Sequence, residues 1–117
     1  MKLSDIIKKY EEGVTFKHDG KDYKPMQFKH GFAVSITNNV LDAVTLDDIT
    51  KIDNTASYLN LKKYYFGYWH DKKTSKNYLD LTLKVDLRSE AVSIARAFNQ
   101  LAIFNFATLQ TEYIERG

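Results

Sequence analysis

A chain of 117 residues, 44% apolar and 27% charged, suits one globular domain that buries a core without disulfides or a metal. It has no cysteine, which excludes a disulfide framework, a thiolate nucleophile and thiolate metal ligation. A net charge of +2 is too small to imply a polyanionic partner by itself. Met1 to Lys9 lacks the apolar run of a signal peptide, and no stretch approaches the roughly 18 apolar residues of a membrane span. The expectation is a single domain over residues 1–117, cytoplasmic, with no membrane partner.

Ser4 is placed to cap a first helix over 5–12, in which Ile6, Ile7 and Tyr10 form a short apolar stripe before Gly13. Val14–Lys17 and Lys21–Lys24 flank His18-Asp19-Gly20, a hairpin signal because Asp-Gly tolerates positive φ. Pro25 cannot donate to a ladder, so that strand does not lie centrally. Met26–Phe28 and Phe32–Ile36 read as strands, and Asn38-Asn39 as a turn. Thr45-Leu46-Asp47-Asp48 resembles a capping box and starts a short helix, 46–53, ended by Asp53-Asn54.

Leu61–Trp69 is rich in strand-forming residues and carries aromatics on both parities, Tyr65 and Trp69 against Tyr64, Phe66 and Tyr68. Asp71–Lys76 is a polar hairpin loop. The return strand alternates Leu79, Leu81, Leu83 and Val85 with Tyr78, Asp80, Thr82 and Lys84. Asp86 is the expected cap of a helix over 87–99, whose stripe is Leu87, Ala91, Ile94, Ala95 and Phe98. Leu101–Phe106 and Leu109–Ile114 complete the pattern as two strands, and Glu115–Gly117 as a loose tail. The fold class is α+β: an antiparallel sheet, an amphipathic helix of the C-terminal half packed across it, and a short N-terminal helix.

Signals for catalysis are weak. There is no Gly-rich phosphate loop, no histidine pair at ligand spacing and no nucleophile elbow. His18, His30 and His70 fall at predicted turns. Asp80 reads either as an exposed strand carboxylate paired with a cross-strand lysine or as a ligand-binding group beside Trp69 and Tyr78. Asn99-Gln100 reads as a C-cap, or as two amides that fix a strand edge or a ligand. Between residues 51 and 84 there are seven lysines and three acids. Lys62, Lys63, Lys72, Lys73 and Lys76, interleaved with aromatics, are the candidate surface for a nucleic-acid-binding alternative. A third alternative is a small enzyme using Asp80 and a histidine. No cofactor and no metal are expected.

Gly31-Phe32-Ala33-Val34-Ser35, Gly67-Tyr68-Trp69, Tyr78-Leu79-Asp80-Leu81-Thr82, Glu90-Ala91 and Asn99-Gln100-Leu101-Ala102-Ile103-Phe104 occur in this order. Over roughly 31–114 the chain resembles small uncharacterised accessory proteins encoded by bacteriophages, prophages and mobile elements. The resemblance implies a protein of the host-cell cytoplasm that acts on the host or its defences, and it carries no catalytic residue over. Gly67-Tyr68-Trp69 replaces the commoner Gly-Gly-Trp. The absent catalytic constellation, the two-sided aromatic strand and the resemblance together favour a non-enzymatic binding protein, homo-oligomeric, with a host protein or small molecule as partner. Tyr68, Trp69, Tyr78, Asp80, Asn99 and Gln100 are the candidate binding residues.

Overall fold

The computed structural model describes residues 1–114; the predicted loose tail, 115–117, lies outside the described residues. In chain order the elements are α1 (Leu3–Lys9), β1 (Val14–Asp19), β2 (Asp22–Pro25), β3 (Phe32–Ser35), β4 (Val40–Leu41), α2 (Leu46–Tyr58), β5 (Tyr65–Asp71), β6 (Lys76–Val85), α3 (Arg88–Ala97), β7 (Ala102–Asn105) and β8 (Gln110–Tyr113). The fold is α+β, with one antiparallel sheet in the order β2-β1-β5-β6-β3-β7-β8. The two-residue β4 pairs with β6 beside β3, so the far edge of β6 is shared between them.

Several boundaries differ from the sequence reading. α1 begins at Leu3, with Lys2 rather than Ser4 at the cap position. The Asp5 carboxylate accepts from the Lys2 N–H, and burial of Leu3 and Ile6 fixes the first turn. Met26–Phe28 forms no strand; after Pro25 on the edge strand β2, the Met26 N–H bonds the Thr15 carbonyl. Phe28 turns instead onto Tyr65 and Phe106, at 5.3 and 5.0 Å between ring centroids.

The capping box of α2 is present, with Thr45 and Asp48 bonded reciprocally. The helix continues through Asp53-Asn54 because Ile49, Ile52 and Ala56 make one buried stripe. It ends in a Schellman motif: Asn60 is left-handed (φ 58°), its N–H bonds the Ser57 carbonyl, and the Leu61 N–H bonds that of Ala56. The four residues assigned by sequence to the start of β5 are therefore the exit of α2.

Asp86 does not cap α3. Leu87 occupies the cap position without a side-chain bond, while Asp86 is drawn to Lys84 at 2.5 Å. Of the predicted stripe, Ala91 and Ala95 are fully buried and Ile94 half-buried, whereas Leu87 and Phe98 are exposed.

Strand partners share a face of the sheet, so the register sorts the core. Phe16, Phe66, Tyr68, Leu79 and Leu81 lie on one face and cluster with Leu3 and Ile6 of α1 and Ile49, Ile52 and Ala56 of α2. Val34 and Ile103, on that same side, are buried with Ala91 and Ala95 of α3. The other face carries Tyr65, Gly67 and Trp69 of β5 opposite Thr82, Asp80 and Tyr78 of β6. Phe28 and Phe106 cover its Tyr65 end, where Tyr65 and Thr82 are buried. The Trp69 end is uncovered: Trp69 is 45% exposed, and Val40, the partner of Tyr78 on β4, is 52% exposed.

Candidate functional site

Trp69 and Tyr78 are directly opposed across the β5–β6 ladder. Their rings are parallel, 4.5 Å apart with an interplanar angle of 7°. Stacked rings stiffen each other and present one flat apolar surface. Tyr68 does not join them. It is buried on the helical face, where its hydroxyl donates to Asn77 Oδ1 at 3.0 Å; burial, with a lesser contribution from the Glu11 charge, pushes its phenol up. The aromatic that replaces the second glycine of the motif is thus core.

Gly67 stands two residues from Trp69 and opposite Asp80. A Cβ there would meet Thr82 Oγ1 at 2.6 Å, so the hydroxyl occupies the volume a side chain would need.

Asp80 lies on the same face as Tyr78 but is no exposed partner of a lysine. Its Oδ1 accepts from the Thr37 hydroxyl at 3.0 Å and from the Asn39 N–H at 2.8 Å. Burial pushes the carboxyl up from its ordinary value, against the opposing effect of those two donors. Thr37 in turn accepts from the Leu81 N–H at 3.0 Å. The carboxylate therefore pins the loop between β3 and β4 against β6.

Asn99 and Gln100 close α3 with a second Schellman motif. Asn99 is left-handed (φ 56°), its N–H bonds the Arg96 carbonyl, and the Gln100 N–H bonds that of Ala95 at 2.7 Å. The Gln100 amide also donates to the carbonyls of Thr37 and Phe98, each at 3.4 Å. Asp80 and Gln100 are thus brought together through Thr37. Trp69 and Tyr78 form a separate pair along the same sheet face, and Tyr68 faces away.

The histidines are not all turn residues. His18 lies in β1 and His70 in β5; His70 Nδ1 is bonded to Asn77 Oδ1 at 3.0 Å. His18 sits with Nε2 2.8 Å from Asp53 Oδ2 and Nδ1 3.3 Å from the Gly20 carbonyl. Tyr64 donates to Asp53 Oδ1 at 2.5 Å, and burial, reinforced by that bond and by the Asp53 charge, pushes its phenol up to about 12. The sequence reading passed over this Tyr64–Asp53–His18 cluster. One signal was available: His18 shares the strand parity of buried Phe16, and a polar group on an apolar face needs a partner. Asp80 bonds Thr37 and Asn39, while His18 and His70 bond Asp53 and Asn77.

The lysines are divided. Lys62 and Lys63 precede β5 and Lys72 and Lys73 follow it, so the strand separates them by about 20 Å at a strand rise of about 3.3 Å per residue. Lys76 is bound to Asp42 at 2.5 Å, which raises the ammonium and lowers the carboxyl.

Comparisons with protein-family models, with curated proteins and with solved structures gave no match.

Proposed function

We propose that this protein works by binding and not by catalysis, and that its contact surface is the uncovered sheet face at Trp69 and Tyr78. The observation that carries the reading is the stacked pair, with Trp69 45% exposed while the neighbouring aromatics of β5 are buried. A rigid, exposed aromatic anchor is what a protein–protein contact uses. The reading takes α3 to lie across the sheet on the helical side, supported by its burial against Val34 and Ile103, which leaves the opposite side for a partner. The resemblance to phage and prophage accessory proteins supports a role in the host cytoplasm: sequestering a host factor or small ligand, including counter-defence, as a homodimer.

Trp69 is the single tryptophan, so its fluorescence reports this surface alone. Acrylamide quenching across a protein dilution series tests the reading. Quenching that grows on dilution, together with a red shift of emission, supports an occupied face. Quenching that stays high at every concentration argues against it.

The nucleic-acid alternative has a weaker footing, since its lysines fall into two groups at opposite ends of β5. It requires binding that weakens steeply with salt.

A further inference from the structure

The last rung shared by β1 and β5 joins Phe16 to Phe66. Beyond it the two segments part, leaving a cleft of about 240 Å3 lined by Lys17, His18, Asp53, Lys62, Lys63 and Tyr64, among others. Three lysines and one aspartate line it, and both oxygens of that carboxylate are already engaged, by Tyr64 and His18. Lys51, Lys76 and Lys84 each pair with an aspartate. Lys17, Lys62 and Lys63 form no ion pair among the described residues. All three are exposed; Lys63 also lies near enough to help lower the Asp86 carboxyl, though less than Lys84 does.

Lysines in excess of acids around a concave site raise the local concentration of anions. Ammonium groups act on phosphate as point charges, and several together match a dianion better than a lone carboxylate. The cleft is smaller than the roughly 300–1,000 Å3 of sites for drug-sized ligands. Asp53 fixes Tyr64 and His18 in the wall, so the site is built before a ligand arrives. We propose that this cleft binds a small phosphate-bearing anion, with Lys17, Lys62 and Lys63 as its charge partners and the Asp53-anchored Tyr64 and His18 as its wall. The site is at the opposite end of β5 from Trp69 and stands independently of the surface proposed above.

Titration of the isotope-labelled full chain with inorganic phosphate and, separately, with adenosine monophosphate tests this, read by amide chemical shifts. The expected result is saturable shifts confined to residues 17–18 and 62–66. Equal affinity for the two probes identifies free phosphate as sufficient, and tighter binding of the nucleotide identifies a phosphate monoester. Lys62→Ala combined with Lys63→Ala is expected to weaken binding about tenfold or more, as loss of charge-assisted bonds does, with the circular dichroism spectrum unchanged. Lys72→Ala with Lys73→Ala is expected to leave affinity as it was. The proposal is overturned if neither probe saturates, or if shifts scatter over all surface lysines. It is equally overturned if only an oligonucleotide binds, with Lys72 and Lys73 contributing as much as Lys62 and Lys63.

Discussion

Asp80 and Gln100 meet on the two sides of Thr37: the threonine hydroxyl donates to the aspartate, and its carbonyl accepts from the glutamine amide. One residue of the β3–β4 loop thereby ties the middle of β6 to the exit of α3. Thr37→Val removes the hydroxyl and leaves the Leu81 N–H without its acceptor. Loss of such a buried partner costs about 1–3 kcal/mol, so urea unfolding should show that decrease, with Thr37→Ser close to wild type.

Asp80 also sets a pH dependence of known sign. Its folded carboxyl titrates above the ordinary 3.8 because of burial. Between that value and the raised one, the folded chain holds a proton that the unfolded chain has released. Stability from this group is therefore full below about 3.8 and falls as pH rises through the folded value. Asp80→Asn keeps an oxygen to accept from Thr37 and Asn39, since both bonds go to Oδ1, and removes the titration. The wild-type-minus-variant difference in unfolding free energy, measured from acid to neutral pH, should decline with rising pH. A flat difference would remove this account of Asp80.

Gly67→Ala puts a methyl group against the buried Thr82 hydroxyl. Overpacking of this kind costs about 1–3 kcal/mol. Thr82→Ala in the same chain removes the obstacle, so the double variant should recover part of the loss, and the coupling should appear in a thermodynamic cycle.

Tyr64 titrates at about 12 in the folded chain, above its ordinary value of about 10. The neutral phenol is the form the fold holds, so its contribution is complete below about pH 10 and disappears as pH rises toward 12. Burial also raises the phenols of Tyr23 and Tyr68, so absorbance titration should show a late-ionising group among the eight tyrosines, and Tyr64→Phe should abolish its last phase. Persistence of the phase in the variant would assign it to another residue.

Asn99 holds a left-handed conformation that glycine adopts freely and alanine does not. Asn99→Gly should leave the melting temperature nearly unchanged, whereas Asn99→Ala should lower stability by about 1 kcal/mol, because alanine lacks the short polar side chain whose local hydrogen bonding lets asparagine take this conformation.

Local chemistry was legible in the sequence. The β1–β2 hairpin, the Thr45 cap, the period-two alternation of β6 and the Asn99 C-cap are each written within a few neighbouring residues. The extent of α2 was misread because Asp53-Asn54 has the composition of a helix end, while burial of Ala56 carries the helix onward. Met26–Phe28 has strand propensity, yet packing of Phe28 on Tyr65 decides its path. The destinations of Asp80 and His18 lay out of reach, since their partners are 43 and 35 residues away in the chain and leave no local periodicity. Tyr68 and Trp69 are adjacent in sequence but on opposite faces. Which face the helices cover is set by topology, and that separates core from surface.

Native mass spectrometry of the protein purified from cells, beside its Trp69→Asp variant, tests binding through the uncovered face most directly. The account predicts a second copy or a co-purified partner on the wild type, and its loss from a variant that stays folded. A wild-type monomer with nothing bound, or an assembly that the substitution leaves intact, would contradict it.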